Sequence, residues 1–221
     1  MLNKLSKTKG LNKMKNNDFS DVVFNRRSVK VFDKNVKIDH EEMLEILRET
    51  TKAPSSINMQ PWRFIVVDSD EGKNKLRPLI QFNTRQNDTS AAMILIFGDM
   101  QCYENAEEIY GMAVEKGFMT EKVRDQLMES YIPLYKNLSK EKMNDIIKID
   151  SSLAAMQLML VARAHGYDTC AIGGFEHDKL AETFGLDPNR YIPVVIIAIG
   201  KCDYPMHYSV RLDVNKVTKF E

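Results

Sequence analysis

The sequence lacks the signatures of several common chemistries. Neither GxGxxG nor GxxxxGK[ST] occurs in its 221 residues, so a dinucleotide-binding βαβ unit and a phosphate-cradling P-loop are both unsupported. The four histidines, His40, His165, His177 and His207, show no HxH or HExxH spacing, which gives no basis for a metal centre. Ser55-Ser56 has no GxSxG context, so no nucleophile elbow is expected. The cysteines, Cys102, Cys170 and Cys202, are odd in number and form no CxxC. That excludes the signature of a zinc ribbon or a thioredoxin-type motif and suits reduced thiols packed as small hydrophobes in the cytoplasm. Charge of one sign is missing as well: 31 Lys plus Arg balance 31 Asp plus Glu, so overall charge points to no nucleic acid and no membrane. No apolar run reaches the length of a membrane span; residues 192–199 are too few, and Arg163 and His165 interrupt the run after Leu153. With no nucleophile, acid–base pair or metal cluster on offer, any redox chemistry must be carried by a bound cofactor.

What is present is an ordinary globular composition, 43% hydrophobic and 28% charged, in a chain long enough to bury one core. Residues 1–17 carry Lys4, Lys7, Lys9, Lys13 and Lys15 without an acid before Asp18, and they lack the apolar core and cleavage site of a secretory signal. They are expected to form a disordered basic arm, with Met14 an alternative start, ahead of a single domain over 18–221.

Helix spacing marks 19–25, capped by Asp18 or Ser20, and 39–52, opened by the capping box Asp39-His40-Glu41-Glu42 and stopped before Pro54. Short apolar runs at 63–68, 92–97 and 192–199 predict buried strands. A helix is expected over 69–79 and another over 178–184, with 80–89 polar and irregular between elements. Residues 104–138 are helical and amphipathic with breaks at Gly117 and Pro133; they either roof a pocket or pack as surface helices. Residues 139–164 predict one long helix, ended by Gly166, whose second half is apolar almost all round. Such a helix must be covered on every side, by the protein's centre or by a second subunit. The tail, 201–221, has too little apolar surface to fold alone and should lie along another body.

Two stretches stand out. In Asn25-Arg26-Arg27-Ser28-Val29-Lys30-Val31-Phe32, three cations and a hydroxyl lie between an apolar segment and an extended one. Arginine's planar fork and a serine hydroxyl suit phosphate oxygens, and Lys30 could reach a second anionic group; a solvated basic turn is the plain alternative. In Ala53-Pro54-Ser55-Ser56-Ile57-Asn58-Met59-Gln60-Pro61-Trp62, two prolines restrain a loop rich in hydroxyls and amides. It suits a flat heterocycle rimmed by N–H and C=O groups, or serves as a helix–loop–strand joint.

These stretches, with GYDTCAIGGF (166–175), IPVVIIAIGK (192–201) and Arg211, occur in the order seen in the nitroreductase family of FMN-dependent oxidoreductases, and from Asp18 onward the chain resembles its small bacterial NAD(P)H members. The resemblance implies an α+β fold with a mixed, mostly antiparallel sheet surrounded by helices. The long apolar helix would lie at a homodimer interface, the C-terminal arm would be exchanged between subunits, and FMN would sit between them. It implies that Arg26 and Ser28 hold the phosphate and ribityl end, assisted by Arg27, while Lys30 approaches the pyrimidine edge. Pro54, Ser55, Ser56 and Asn58 would come from the other subunit, and Asn83 would contact the flavin. Ile172 would pack on the ring, Gly173 and Gly174 would present backbone N–H near N5, and Arg211, with Lys201 a weaker candidate, would close the phosphate site. Two departures stand: Ser209 where a basic residue is often expected, and Gly173 where some relatives carry Glu. The implied activity is hydride transfer from NAD(P)H through flavin N5 to nitroaromatic, quinone or related small-molecule acceptors, by a ping-pong mechanism and without a catalytic side chain. The alternatives are another reductase of the superfamily, acting as a dehalogenase, enoate reductase or flavin reductase, and a flavin-binding protein with a sensing or storage role.

Overall fold

The computed structural model describes residues 16–204 and 208–221, so most of the expected basic arm, and His207, lie outside the described residues. A sheet of order β1-β2-β4-β3 organises them, with β1 at Trp62–Val67, β2 at Ala92–Asp99, β3 at Asp168–Ile172 and β4 at Tyr191–Gly200. All three ladders are antiparallel; parallel pairing is confined to an isolated bridge between Ser28 and Thr169. β2 is buried at every position because helices cover both faces of the sheet, which is why it reads as an uninterrupted apolar run rather than an alternation. Met93, Leu95, Phe97, Ile196 and Ala198 pack with Leu76 of α3 (Asp70–Leu76) and Leu180 of α8 (His177–Thr183). Ile94, Ile96, Ile197 and Ile199 face the opposite way, onto Ile46 of α2 (His40–Thr50) and Leu158 and Ala162 of α7 (Lys140–Ala164). The class is α+β, as the sequence implied.

The helix ends follow their capping chemistry. Asp18 accepts from the Ser20 and Asp21 N–H groups to start α1 (Phe19–Asn25), Asp39 accepts from Glu42 N–H, and Ser139 accepts from Lys142 N–H to start α7. Gly166, at φ 84°, supplies the left-handed residue just beyond the end of α7. One face of α7 is left open among the described residues: Ile149, Leu153 and Met156 are exposed.

Three expectations need correction. The break at Gly117 exists, closing α5 (Ala106–Glu115), but α6 (Glu121–Lys136) runs through Pro133. Pro133 lies in the last turn and forfeits one helical hydrogen bond without ending the helix, and Asn137 Nδ2 donates to its carbonyl at 2.8 Å, helping to close that turn. Residues 80–89 are ordered into a tight turn at Gln81–Asn83 and a helix α4 (Thr84–Thr89). That helix buries Gln86, Asn87 and Thr89, polar residues held by hydrogen bonds, so no apolar period reveals it. The strand β3 was not distinguished from the approach to the glycine pair, because five residues are too few to display a period.

Asp99, fully buried at the end of β2, accepts from Arg63 Nη2 at 2.9 Å and from Arg190 Nε at 2.9 Å, fastening β1 and the start of β4 to it. Removing one side of a buried ion pair strands the other charge, so Asp99→Ala should lower unfolding free energy by about 3–5 kcal/mol, read from urea midpoints. At Gly98 a Cβ would stand 2.8 Å from Ile147 Cδ1, so β2 and α7 touch through the missing side chain. Gly98→Ala should cost about 1–3 kcal/mol in the same measurement.

Candidate functional site

The basic stretch is laid along the sheet by its backbone. Val29 N–H donates to the Thr169 carbonyl at 3.0 Å, Asp33 N–H to the Lys201 carbonyl at 2.8 Å and Phe32 N–H to Thr89 Oγ1 at 3.1 Å. A bend at Lys30 interrupts the extended chain, so residues three apart share the inner side: Val29 and Phe32 are buried, while Ser28 and Lys30 face outward and Arg26 is half-buried. Arg26 and Lys30 share one neighbourhood, since both act on the thiol of Cys170 in β3. Burial pushes that thiol up, against a hydrogen bond with Gln86 and the charges of Lys30 and Arg26.

The same neighbourhood contains the turn that precedes α4. Gln86 Nε2 donates to Asn83 Oδ1 at 3.2 Å, and Asn83 Nδ2 donates to the Gly174 carbonyl at 3.1 Å. Glu176 N–H donates to the Leu79 carbonyl at 2.8 Å, fixing the 80–83 turn against the segment that leaves β3. A Cβ at Gly173 would meet nothing within 4 Å, and one at Gly174 only Asn83 Nδ2 at 3.5 Å, so this shelf is open space. Ile172, by contrast, points into the core and is 2% exposed.

Other predicted residues lie apart from this group. Arg27 turns to its own backbone, donating to the Phe24 carbonyl, and stacks over the Tyr208 ring of the C-terminal arm at 5.5 Å. Lys201 is exposed, its Nζ 5.9 Å from the Tyr167 ring centroid. Arg211 sits on the exposed arm, donating to Ser209 Oγ at 2.8 Å. None of Arg26, Lys30, Lys201 and Arg211 is ion-paired with an acid among the described residues. Pro54 is exposed, and Ser55, Ser56 and Asn58 belong to a second group held against the first half of α7. Ser56 N–H and Oγ both donate to the carboxylate of Asp150, and no hydrogen bond joins this loop to the basic stretch among the described residues.

Sequence reasoning passed over Gln86 and Asp150. Gln86 gave no signal, lying in a polar segment read as irregular. Asp150 did: an acid just before the apolar half of a long helix is worth a question, because a buried carboxylate requires partners.

Comparison with known proteins agrees with this geometry. The sequence profile of the nitroreductase family matches residues 23–201. The Bacillus subtilis protein YdgI, whose name assigns it to the NAD(P)H nitroreductases, is 47% identical over 208 residues, covering 94% of this chain and all of YdgI. The CLA biosynthesis enone reductase of Lactiplantibacillus plantarum is 41% identical over 206 residues, 93% of this chain and 95% of that enzyme. A nitroreductase from Exiguobacterium sibiricum, solved in complex with FMN, is 50% identical and superposes with a TM-score of 0.91 over 95% of this chain and all of its own. A match over most of the chain, in both sequence and backbone, carries one conclusion: this chain belongs to the nitroreductase family.

Proposed function

We propose that the protein is a cytoplasmic, homodimeric FMN oxidoreductase that takes a hydride from NAD(P)H and delivers it to nitroaromatic, quinone or related small acceptors in two half-reactions. The observation that carries this reading is the cluster of Arg26, Ser28 and Lys30 beside the Asn83–Gly174 hydrogen bond: donors for an anion next to an open backbone shelf, with neither cation ion-paired to an acid among the described residues. The FMN bound in the Exiguobacterium relative supports it, as does the NAD(P)H in the name of YdgI.

The residues fit such a ligand. Arg26 and Ser28 would hold a phosphate, Arg211 would close over it from an arm, and Lys30 would lie toward the far edge of the ring system. When bound there, FMN would supply the redox chemistry, hydride exchange at its N5. The chain's own work is to bind, orient and set the local field: a fixed cation at Lys30 favours the more negative, reduced state. No side chain needs to move a proton in this account.

Two features support the homodimer and the exchanged arm. Among the described residues, the face of α7 formed by Ile149, Leu153 and Met156 has no covering element, and Val210, Leu212, Val214 and Val217 of the arm are exposed. Apolar side chains concentrated in this way favour association. The loop with Ser55, Ser56 and Asn58 would then reach the FMN of the other subunit. The basic arm over 1–17 and the single domain after it complete this reading.

A second reading, reduction of a carbon–carbon double bond conjugated to a carbonyl, is favoured by the Lactiplantibacillus enone reductase. It uses the same hydride and differs only in the acceptor.

Purified protein should be yellow, bleach on anaerobic addition of NADPH or NADH, and regain colour with a nitroaromatic, a quinone or an enone; the acceptor panel separates the two readings. Colour that persists with both nicotinamides would favour sensing or storage. Arg26→Ala and Arg211→Ala should each weaken FMN retention about tenfold or more, measured by fluorescence titration, as expected for loss of a charge-assisted bond. Unchanged retention in both would count against the phosphate assignment. Lys30→Ala should lower the two-electron potential of the flavin by roughly 30 mV, the equivalent of about 1.4 kcal/mol.

A further inference from the structure

We infer that Asp150 of α7 and Tyr110 and Tyr135 of the 104–138 insertion are positioning residues for the loop at 54–60, so that α7 and the insertion govern FMN affinity through that loop. The inference rests on the FMN reading given above and goes beyond it by assigning a task to the insertion.

The loop's backbone is unusual. Three of the four non-glycine residues with positive φ among the described residues lie in it: Ile57 at 43°, Asn58 at 60° and Gln60 at 49°. For a β-branched residue such as Ile57 that region is sterically poor, and strained backbone persists only where its surroundings over-determine it. Those surroundings come from three helices. Asp150 of α7, 3% exposed, receives Ser56 N–H on Oδ2 at 2.9 Å and Ser56 Oγ on Oδ1 at 3.2 Å. Tyr110 of α5 donates its hydroxyl to the Ile57 carbonyl at 2.8 Å. Tyr135 of α6 is buried in the apolar cluster beneath the loop. Met59, fully buried among Tyr110, Tyr135, Met143 and Ile147, pins the loop from below.

This arrangement divides the two serines. The Ser56 hydroxyl is committed to Asp150, whereas Ser55 Oγ accepts from Gln60 N–H at 3.0 Å and keeps its own hydrogen for a ligand. Asn58 is exposed, and its amide nitrogen is free to donate. Ser55 and Asn58 are therefore the groups offered outward, and Ser56 is the fastening. A carboxylate is placed where burial opposes its charge because both of its oxygens are used by one residue of the loop.

The test is FMN titration of the full-length protein, with the visible flavin spectrum recorded for each complex. Asp150→Ala should weaken binding about tenfold, and Asp150→Asn, which retains an acceptor for Ser56 N–H and gains a donor toward Oγ, should stay within about threefold of wild type. Tyr110→Phe, which deletes one hydroxyl and little packing, should weaken binding about threefold, and it decides the matter if Asp150→Ala does not fold. Wild-type affinity in both Asp150→Ala and Tyr110→Phe overturns the inference alone, as does an Asp150→Asn protein as weak as Asp150→Ala. A wild-type protein that takes up no FMN overturns the reading of the site beneath it.

Discussion

The hydrogen bond from Val29 N–H to the Thr169 carbonyl is the constraint from which the site's geometry follows. It joins the basic stretch to the outer side of β3, and the Phe32–Cys202 bridge holds the far end beside the exit of β4. Between those fixed points the chain bends at Lys30, so Val29 and Phe32 both fill the core while Ser28 and Lys30 stand out from it. Positive charge is thus carried on a strand-like edge rather than on flexible side chains of a loose turn. Gly200 shows how closely the pieces meet: a Cβ there would lie 2.9 Å from Phe32 Cδ1 and 3.1 Å from the Ala91 nitrogen.

Much of the fold was legible because its logic is local. Apolar runs named the central strands, Asp18, Asp39, Ser69 and Ser139 named the helix starts, and a helix without a polar face announced itself as one needing cover. What escaped was held by tertiary contacts. α4 buries amides and hydroxyls whose partners lie elsewhere in the chain, such as the Lys73 carbonyl for Asn87 and Phe32 N–H for Thr89. Pro133 stands inside α6 rather than ending it, although a proline forfeits one helical hydrogen bond there.

The site was legible in part for the same reason. Arg26, Ser28 and Lys30 are consecutive enough for spacing to group them, and Asn83 with Gly174 was reachable only through family likeness before the 3.1 Å hydrogen bond joined them. Ile172 and Arg27 illustrate the limit. A motif places a residue near a ligand without saying where its side chain points; Ile172 faces the core and Arg27 faces its own backbone and Tyr208. Asp150 illustrates the reverse case, a residue outside every motif whose two oxygens hold one inside.

The long helix α7 explains why the two groups stay apart in one chain. Its Asp150 holds the 54–60 loop, while Arg163 near its other end pairs with Asp168 at the start of β3 at 3.1 Å and approaches Asp21, five residues before the basic stretch. Thirteen helical residues separate those attachment points, a span of about 20 Å at the rise of an α-helix. A rigid helix cannot fold back to bring its two ends to one ligand. The exposed apolar side chains Ile149, Leu153 and Met156 belong to this same spacer. The apolar face of α7 and the separation of the two groups are thus features of one element: the helix that holds the loop and the basic stretch apart is also the one that leaves apolar side chains open among the described residues.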